Sequence, residues 1–192
     1  MKVLGISGSL RRDSHNTNLL RSAAETAGDE VEFELWDGRT AVPPYDEDDD
    51  TDEAPAAVAR LRAAIAGADA VLFATPEYNS SIPGQLKNAI DWVSRPLATN
   101  PLRNKPVAVV GASTGMFGAV WSQAELRKVL GATGARVLEG ELACTHAPAR
   151  FDDDGRLIDE ELQGRLAELV EELVVAAGER AGAVSPAATR AA

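Results

Sequence analysis

Residues 75–95 read Thr-Pro-Glu-Tyr-Asn-Ser-Ser-Ile-Pro-Gly-Gln-Leu-Lys-Asn-Ala-Ile-Asp-Trp-Val-Ser-Arg. The apolar run of residues 70–74 comes directly before them, and residues 84–93 have the periodicity of a helix. The segment therefore leads from a buried strand through a polar loop into a helix. In open α/β sheets, ligands bind at the carboxyl ends of the strands, where such loops lie. This stretch thus predicts a parallel sheet with a functional loop at one edge.

Strand and helix patterns alternate five times along the rest of the chain. The predicted strands cover residues 3–7, 31–36, 70–74, 107–111 and 135–139, and the predicted helices cover residues 16–27, 55–66, 84–93, 117–130 and 159–177. Continuous apolar strands separated by helices favour a doubly wound parallel sheet with helices on both faces. Five strands favour the order 2-1-3-4-5. We expect a single domain over residues 1–177 and a flexible tail over residues 178–192.

Composition and charge narrow the class of protein. The 192 residues carry a net charge of −11, with a pI near 4.6, which argues against nucleic-acid binding. The longest apolar runs are far shorter than the roughly 18 residues of a membrane span. The N-terminus has no leader-like pattern, so the cytoplasm is the expected compartment. Cys144 is the single cysteine, and burial is favoured over a reactive role.

Residues 46–53 form an acidic run in which seven of the eight side chains are carboxylates. Such a run is typical of a solvated loop. Regular ligand alternation with a turn glycine is absent, so no metal site is expected. The role of this loop stays open at the level of sequence.

The loop after the first strand carries donors for an anion. Ser9, Ser14 and Thr17 supply hydroxyls, Asn16 an amide and Arg11 a guanidinium, at the start of a predicted helix. An ordinary capped turn uses the same residue types, so both interpretations remain open from this loop alone. It has neither the Gly-Lys-Ser/Thr ending of a Walker loop nor the Gly-x-Gly-x-x-Gly of a dinucleotide fingerprint.

Two further polar loops follow the third and fourth strands. In the assumed strand order, all three loops leave neighbouring strands at the same edge and should converge. The loop after the fourth strand also fits the Gly-x-Ser-x-Gly pattern of a hydrolase elbow at residues 111–115. We reject a hydrolase because only His15 and His146 could serve as the base, and neither has an evident acidic partner.

Two motifs carry a resemblance to a known family. Residues 8–16 match Gly-Ser-Leu-Arg-x-x-Ser-x-Asn, and residues 76–83 match Pro-Glu-Tyr-Asn-x-Ser-x-Pro. Both resemble the NADPH-dependent FMN reductase family of flavodoxin-like proteins, which includes quinone, azo-dye and chromate reductases. The resemblance implies three groups of FMN-binding residues. They are Ser9, Arg11, Ser14 and Asn16, with Thr17 less directly, at the phosphate; Pro76, Glu77, Tyr78, Asn79 and Ser81 at the isoalloxazine; and Ser113, Thr114 and Gly115 over the ring and ribityl chain.

The same resemblance implies an activity. Hydride passes from NADPH or NADH to bound FMN and then to a quinone, free flavin, azo dye or metal oxyanion such as chromate, with no obligatory protein acid or base. A homodimer or homotetramer is expected. Trp92 could then lie either at a subunit interface or in the core. The main alternative is a flavodoxin-type electron-transfer protein without nicotinamide oxidation, and a flavin-free α/β protein is a third possibility. Arg11 and the match of residues 75–95 favour the reductase.

Overall fold

A computed structural model describes residues 1–38, 40–51 and 53–184 of the chain. They form an α/β fold in which strands and helices alternate. The five strands are β1 (Lys2–Ser7), β2 (Glu32–Leu35), β3 (Ala70–Thr75), β4 (Pro106–Ala112) and β5 (Arg136–Cys144). The helices are α1 (His15–Thr26), α2 (Ala56–Gly67), α3 (Gly84–Val93), α4 (Val120–Ala132) and α5 (Glu160–Val184), with short 3₁₀ turns at Glu47–Asp49 and Ala147–Ala149. No helix in the described ranges is long and apolar enough to cross a membrane.

The strands form one sheet in the order β2-β1-β3-β4-β5, and every pair is parallel. The predicted flavodoxin-like fold and its strand order are therefore confirmed. The chain reverses its winding direction between β1 and β3, so the carboxyl ends of these strands and of β4 border one crevice.

Helices cover both faces of the sheet and bury a core on each. On one face α1 and α5 pack with Leu20, Leu142 and Leu173 in the core, and on the other α2, α3 and α4 cover a second core. Trp92 lies in the second core, fully buried, and its indole Nε1 donates a hydrogen bond to the carbonyl of Pro43 at 2.9 Å. Of the two alternatives left by the sequence for Trp92, the structure selects the core.

Three predicted element ends differ from the structure by three residues or more, and two of them are carboxyl-terminal ends. Strand β5 continues past Glu139 to Cys144, through a register shift opposite Val107 and Val109 of β4. The Arg127 guanidinium donates to the carbonyls of Glu139 and Gly140 at 2.9 and 2.5 Å, which holds the irregular segment in place. Helix α5 continues past the predicted end at residue 177 to Val184, so the first part of the expected tail is helical; residues 185–192 lie outside the described residues.

Helix α4 begins at Val120 and not at Phe117, where the prediction placed it. Gly118 and Ala119 have left-handed backbones, with φ of +56° and +62°. A Cβ at Gly118 would lie 2.7 Å from the backbone carbon of Ala143, so only glycine fits this close approach to β5. The turn therefore delays the helix by three residues.

The acidic run is held from both sides, and the segment directly before it is docked onto α3. The Tyr45 amide donates to Asn88 Oδ1 at 2.7 Å, and Asn88 Nδ2 donates to the Pro43 carbonyl at 2.7 Å. At the other end Asp50 pairs with Arg62 at 2.7 Å, and both side chains are mostly buried. The carboxylates between them are exposed, as expected for a solvated loop, while Asp52 lies outside the described residues.

Candidate active site

The loops that follow β1, β3 and β4 meet at the carboxyl edge of the sheet, as the strand order predicts. They border an open cleft with a volume of about 130 Å³. Polar side chains and backbone from all three loops line it: Ser9, Arg11, Ser14, His15, Asn16, Pro76, Glu77, Tyr78, Ala112, Ser113 and Thr114.

The first loop leads into the N-terminus of α1. Ser14 is the N-cap, and its side chain accepts a hydrogen bond from the Thr17 amide at 3.3 Å. Ser9 Oγ accepts from the Arg11 amide at 3.3 Å, which shapes the turn. The Arg11 side chain is exposed and makes no hydrogen bond or ion pair with another described residue. A helix N-terminus and an unpaired guanidinium side by side suit a phosphate.

Asn16 and Thr17 are engaged inside the protein. Asn16 is buried, and its side-chain amide exchanges two hydrogen bonds with Ala112, donating to the carbonyl and accepting from the amide, each at 2.9 Å. Thr17 Oγ1 donates to Ser7 Oγ at 3.0 Å. Asn16 keeps one amide hydrogen for a ligand, while the hydroxyl of Thr17 lies outside the cleft lining.

The second loop is a tight turn. The amides and carbonyls of Tyr78 and Ser81 exchange two bonds of 3.1 Å, and the two residues between them, Asn79 and Ser80, have φ of +53° and +58°. Tyr78 is 54% exposed beside the cleft. Glu77 turns to α4, where its Oε2 accepts from the amides of Trp121 and Ser122 at 3.1 Å each.

The third loop is held by the segment after β5. The Ser113 amide donates to the Cys144 carbonyl at 3.0 Å, and the His146 amide donates to the Gly115 carbonyl at 2.9 Å. Beyond it, Phe117 packs against Trp121 with the rings tilted by 57° and their centres 4.7 Å apart, and both side chains are about half exposed. Within the described residues, the side chains of His15 and His146 make no hydrogen bond to a carboxylate.

Nine of the thirteen predicted cofactor-binding residues line the cleft together, and four do not. The four are Thr17, Asn79, Ser81 and Gly115, which lie in the same loops but outside its lining. The contact of each residue with a cofactor stays a prediction.

The side chain of His15 is partly buried and does not face solvent freely. Its ring stacks on Phe151 with centres 5.3 Å apart, and its Nδ1 is buried without a partner among the described residues. Burial, and then the charge of Arg11, lower the pKa of His15 below its usual value. Phe151 comes from the segment after β5, far away in sequence, so the pattern around His15 alone gave no signal of this contact.

Cys144 is fully buried at the end of β5, and burial raises the pKa of its thiol to about 11. A thiolate is the reactive form of cysteine, so this side chain is inert near neutral pH. The interpretation of Cys144 as a buried structural residue is supported.

The residues of the cleft fit FMN. The donors of the first loop match a phosphate, and the turn at Tyr78 offers backbone and an aromatic ring to a flat heterocycle. A carboxylate in the first loop would repel a phosphate, and the cleft lining has none there. The one carboxylate of the lining, Glu77, belongs to the second loop and is bonded to α4.

The chain is similar to known proteins along most of its length. The chain matches the family described as NADPH-dependent FMN reductase over residues 1–149. It is 45% identical over 161 residues to an NAD(P)H-dependent FMN reductase of Pseudomonas aeruginosa (83% of this chain, 86% of the relative) and 36% identical over 162 residues to a 2-hydroxy-1,4-benzoquinone reductase of a Burkholderia species (84% and 87%).

Among solved structures, the chain resembles FerB, a flavoenzyme NAD(P)H:(acceptor) oxidoreductase from Paracoccus denitrificans. The TM-score is 0.84 at 36% identity, and the match covers 93% of this chain and 97% of the other. Family, relatives and structure agree on flavin and nicotinamide as the reacting cofactors. The chain therefore belongs to the NADPH-dependent FMN reductase family and is a flavoenzyme that uses FMN with NAD(P)H as co-substrate.

Proposed function

We propose that this enzyme reduces a quinone at the cleft formed by the three loops. The observation that carries the proposal is the exposed aromatic ring of Tyr78 in the lining of a cleft whose other end is rich in anion donors. The donors suit the phosphate of a bound cofactor, and the open aromatic end suits a planar acceptor. A relative named for benzoquinone reduction supports the same class. Free flavin, azo dyes and chromate are alternative acceptors, and we propose the cytoplasm as the compartment on the basis of the family.

The chain's own residues would bind FMN and orient it. Arg11, Ser9 and the first turn of α1 would hold the phosphate, while Pro76, Tyr78 and the third loop would border the ring. FMN, when bound, supplies the redox chemistry by accepting a hydride and returning two electrons to an acceptor. We assign no acid or base to the protein.

The overall reaction balances without a further reactant. The nicotinamide loses a hydride, which is two electrons and one proton, and becomes NAD(P)⁺. The quinone gains these two electrons, the proton and one more proton from solvent, and becomes the hydroquinone. We propose that one cleft serves both halves, so that the oxidised nicotinamide leaves before the quinone enters.

The test is an acceptor comparison. The purified chain is loaded with FMN, freed of excess, and mixed anaerobically with NADPH or NADH and equal concentrations of benzoquinone, FMN, an azo dye or chromate. Oxidation of the nicotinamide is followed at 340 nm. We expect the highest kcat/KM with the quinone. A higher value with any other acceptor would contradict the proposed substrate class.

Two variants sharpen this test. Tyr78→Ala should change kcat/KM for the quinone more than it weakens FMN binding, because Tyr78 belongs to the second loop and the phosphate donors belong to the first. Leu97→Ala is the matched control, since Leu97 is 57% exposed and lies outside the cleft lining. Equal quinone kinetics in both variants would place Tyr78 outside the acceptor site.

We also propose a homodimer that covers the rim of the cleft. Met116, Phe117 and Trp121, which we call the apolar rim, are between 46% and 65% exposed, although they are large and apolar. A cluster of this kind marks an interaction surface. A second copy would bury it with twofold symmetry, and further association of dimers would give a homotetramer.

The oligomeric state is measured by sedimentation or light scattering of the full chain. A dimer is expected for the wild type and a monomer for Trp121→Glu, because the new carboxylate would be buried at the interface. Val175→Glu, a matched change at an exposed position of α5, should leave the mass unchanged. A wild-type monomer, or a dimer in both variants, would contradict a dimer through the apolar rim.

A further inference from the structure

Helix α4 begins without a cap of its own. The residue before it is Ala119, which has a left-handed backbone and no side-chain acceptor, so the first amides of the helix need a partner elsewhere. Glu77 from the second loop supplies it, since its Oε2 accepts from the amides of Trp121 and Ser122 at 3.1 Å each. A carboxylate also interacts favourably with the positive end of the helix dipole.

The same helix bonds the second loop on either side of Glu77. Ser122 is fully buried, and its Oγ donates to the Pro76 carbonyl at 2.9 Å and lies 2.9 Å from Thr75 Oγ1. Glu125 Oε2 accepts from the Ile82 amide at 3.3 Å. These bonds, which we call the β3–α4 network, fasten both ends of the loop.

The loop between these ends needs such support. Asn79 and Ser80 are both left-handed, a conformation that L residues other than Asn and Asp seldom adopt. Asn79 tolerates this conformation, but Ser80 adopts it at a cost, and the paired backbone bonds of Tyr78 and Ser81 close only a four-residue ring. Without the β3–α4 network, the turn would have little to keep it in this shape.

We propose that Glu77 is a positioning residue, whose carboxylate caps α4 and thereby holds the second loop in shape before FMN binds. Glu77 thus acts through α4 and not by touching the flavin ring. Because Trp121 donates one of the two bonds, the same carboxylate fixes the aromatic pair of Phe117 and Trp121 relative to the loop. The part of this inference that concerns FMN rests on the proposed site; the part that concerns the loop does not.

The first measurement is amide hydrogen exchange on the full chain after FMN has been removed. Glu77→Ala should raise the exchange rates of the Trp121 and Ser122 amides and of residues 78–82 by roughly 10-fold, the usual effect of losing a helix cap. Glu77→Gln should rescue most of the protection, because its amide oxygen still accepts both bonds; loss of the charge alone should cost about 2- to 5-fold. Glu171→Ala, at an exposed carboxylate on α5, is the control and should change none of these rates.

The second measurement is FMN affinity, with Ser122→Ala as an independent variant. This change breaks the network from the helix side and leaves the Glu77 side chain in place. If the network positions the loop, Glu77→Ala and Ser122→Ala should both raise the Kd for FMN by about 10-fold, and Glu77→Gln by less.

The outcomes distinguish a positioning role of Glu77 from direct contact between Glu77 and the flavin. Weaker FMN binding in Glu77→Ala, with unchanged amide exchange and unchanged binding in Ser122→Ala, would mean direct contact with flavin and would overturn the positioning role. If amide exchange were unchanged in both Glu77→Ala and Ser122→Ala, the β3–α4 network would not hold the loop, and the proposal would be overturned. A wild-type chain that fails to retain FMN would contradict the proposed function, while the exchange rates would still decide the role of Glu77.

Discussion

Arg11 differs from the other polar side chains of the cleft because its guanidinium has no partner among the described residues. Ser9 and Ser14 each already accept a backbone amide. Their hydroxyls can still donate to a ligand, but only Arg11 brings a free positive charge. At the level of single residues, Arg11 should therefore contribute most to recognition of a phosphate.

Arg11→Ala should weaken FMN binding by about 1.5 to 3 kcal/mol, because charge-assisted hydrogen bonds of that strength are lost. The measurement is a fluorescence titration with FMN and, in parallel, with riboflavin, which has no phosphate. Riboflavin affinity should stay constant. Arg12→Ala is the matched control, since Arg12 is an exposed neighbour outside the cleft lining. Equal FMN affinity in the wild type and Arg11→Ala would remove Arg11 from the site.

Residue types at loop positions predicted which loops form the site but not what each side chain does. Ser9, Arg11 and Ser14 lie where the first motif placed them. Thr17 turns inward to Ser7, and His15 is covered by Phe151, because contacts between distant segments decide both orientations. Local sequence contains no signal for such contacts.

At the level of elements, single side chains connect the loops of the site. The Asn16 side chain on α1 forms hydrogen bonds with both backbone groups of Ala112 at the end of β4 and so connects the first and third loops. Glu77 and Ser122 do the same for the second loop and α4. The cleft is thus assembled by the protein's own hydrogen bonds.

Asn16→Ala should lower the free energy of unfolding by about 2 to 4 kcal/mol, because it leaves two buried backbone groups without partners. It should also weaken FMN binding, since the third loop loses its tie to α1. Urea denaturation and the flavin titration measure the two effects. Thr26→Ala, at an exposed position of the same helix, should change stability by less than about 0.5 kcal/mol. Similar unfolding midpoints in both variants would contradict the role of Asn16.

Periodicity located every strand and helix but not all of their ends. The end of β5 was missed because Gly140 and Glu141 interrupt its apolar run, while the structure carries the strand through with a bulge held by Arg127. The start of α4 was missed because the left-handed turn at Gly118 depends on close approach to Ala143. Both misses come from tertiary contacts that override local pattern.

Across the whole molecule, the two edges of the sheet have different roles. The carboxyl edge carries the cleft, and the amino edge of β4 carries Lys105, which is 1% exposed. Its Nζ donates to the carbonyls of Ala66 and Ala68 at the end of α2. Burial, and then the charge of Arg180, lower the pKa of Lys105 to about 8.

This buried lysine should make stability depend on pH. An unfolded lysine has a pKa near 10.5, so between about pH 8 and pH 10.5 the unfolded chain binds more protons than the folded one, and stability should rise with pH. Below pH 8 both forms are protonated, and the cost of the buried charge is constant. The contribution of this group is at most about 1.4 kcal/mol per pH unit.

Other groups titrate in the same range, so the difference between wild type and Lys105→Met isolates the effect. Urea unfolding at pH 7, 8, 9 and 10 should show the wild type gaining stability relative to the variant above pH 8. Lys128→Met, at an exposed lysine on α4, should show no such trend. A constant difference between wild type and Lys105→Met would mean that Lys105 titrates normally.

The burial of Cys144 also makes the chain convenient for site-specific labelling. Because the single native thiol is inert near neutral pH, a cysteine introduced at exposed Leu97 would be the only one to react with a maleimide dye or spin label. No cysteine-free background has to be prepared first. Distances between two such probes could then be read by resonance energy transfer or electron spin resonance while the native β5 terminus stays intact.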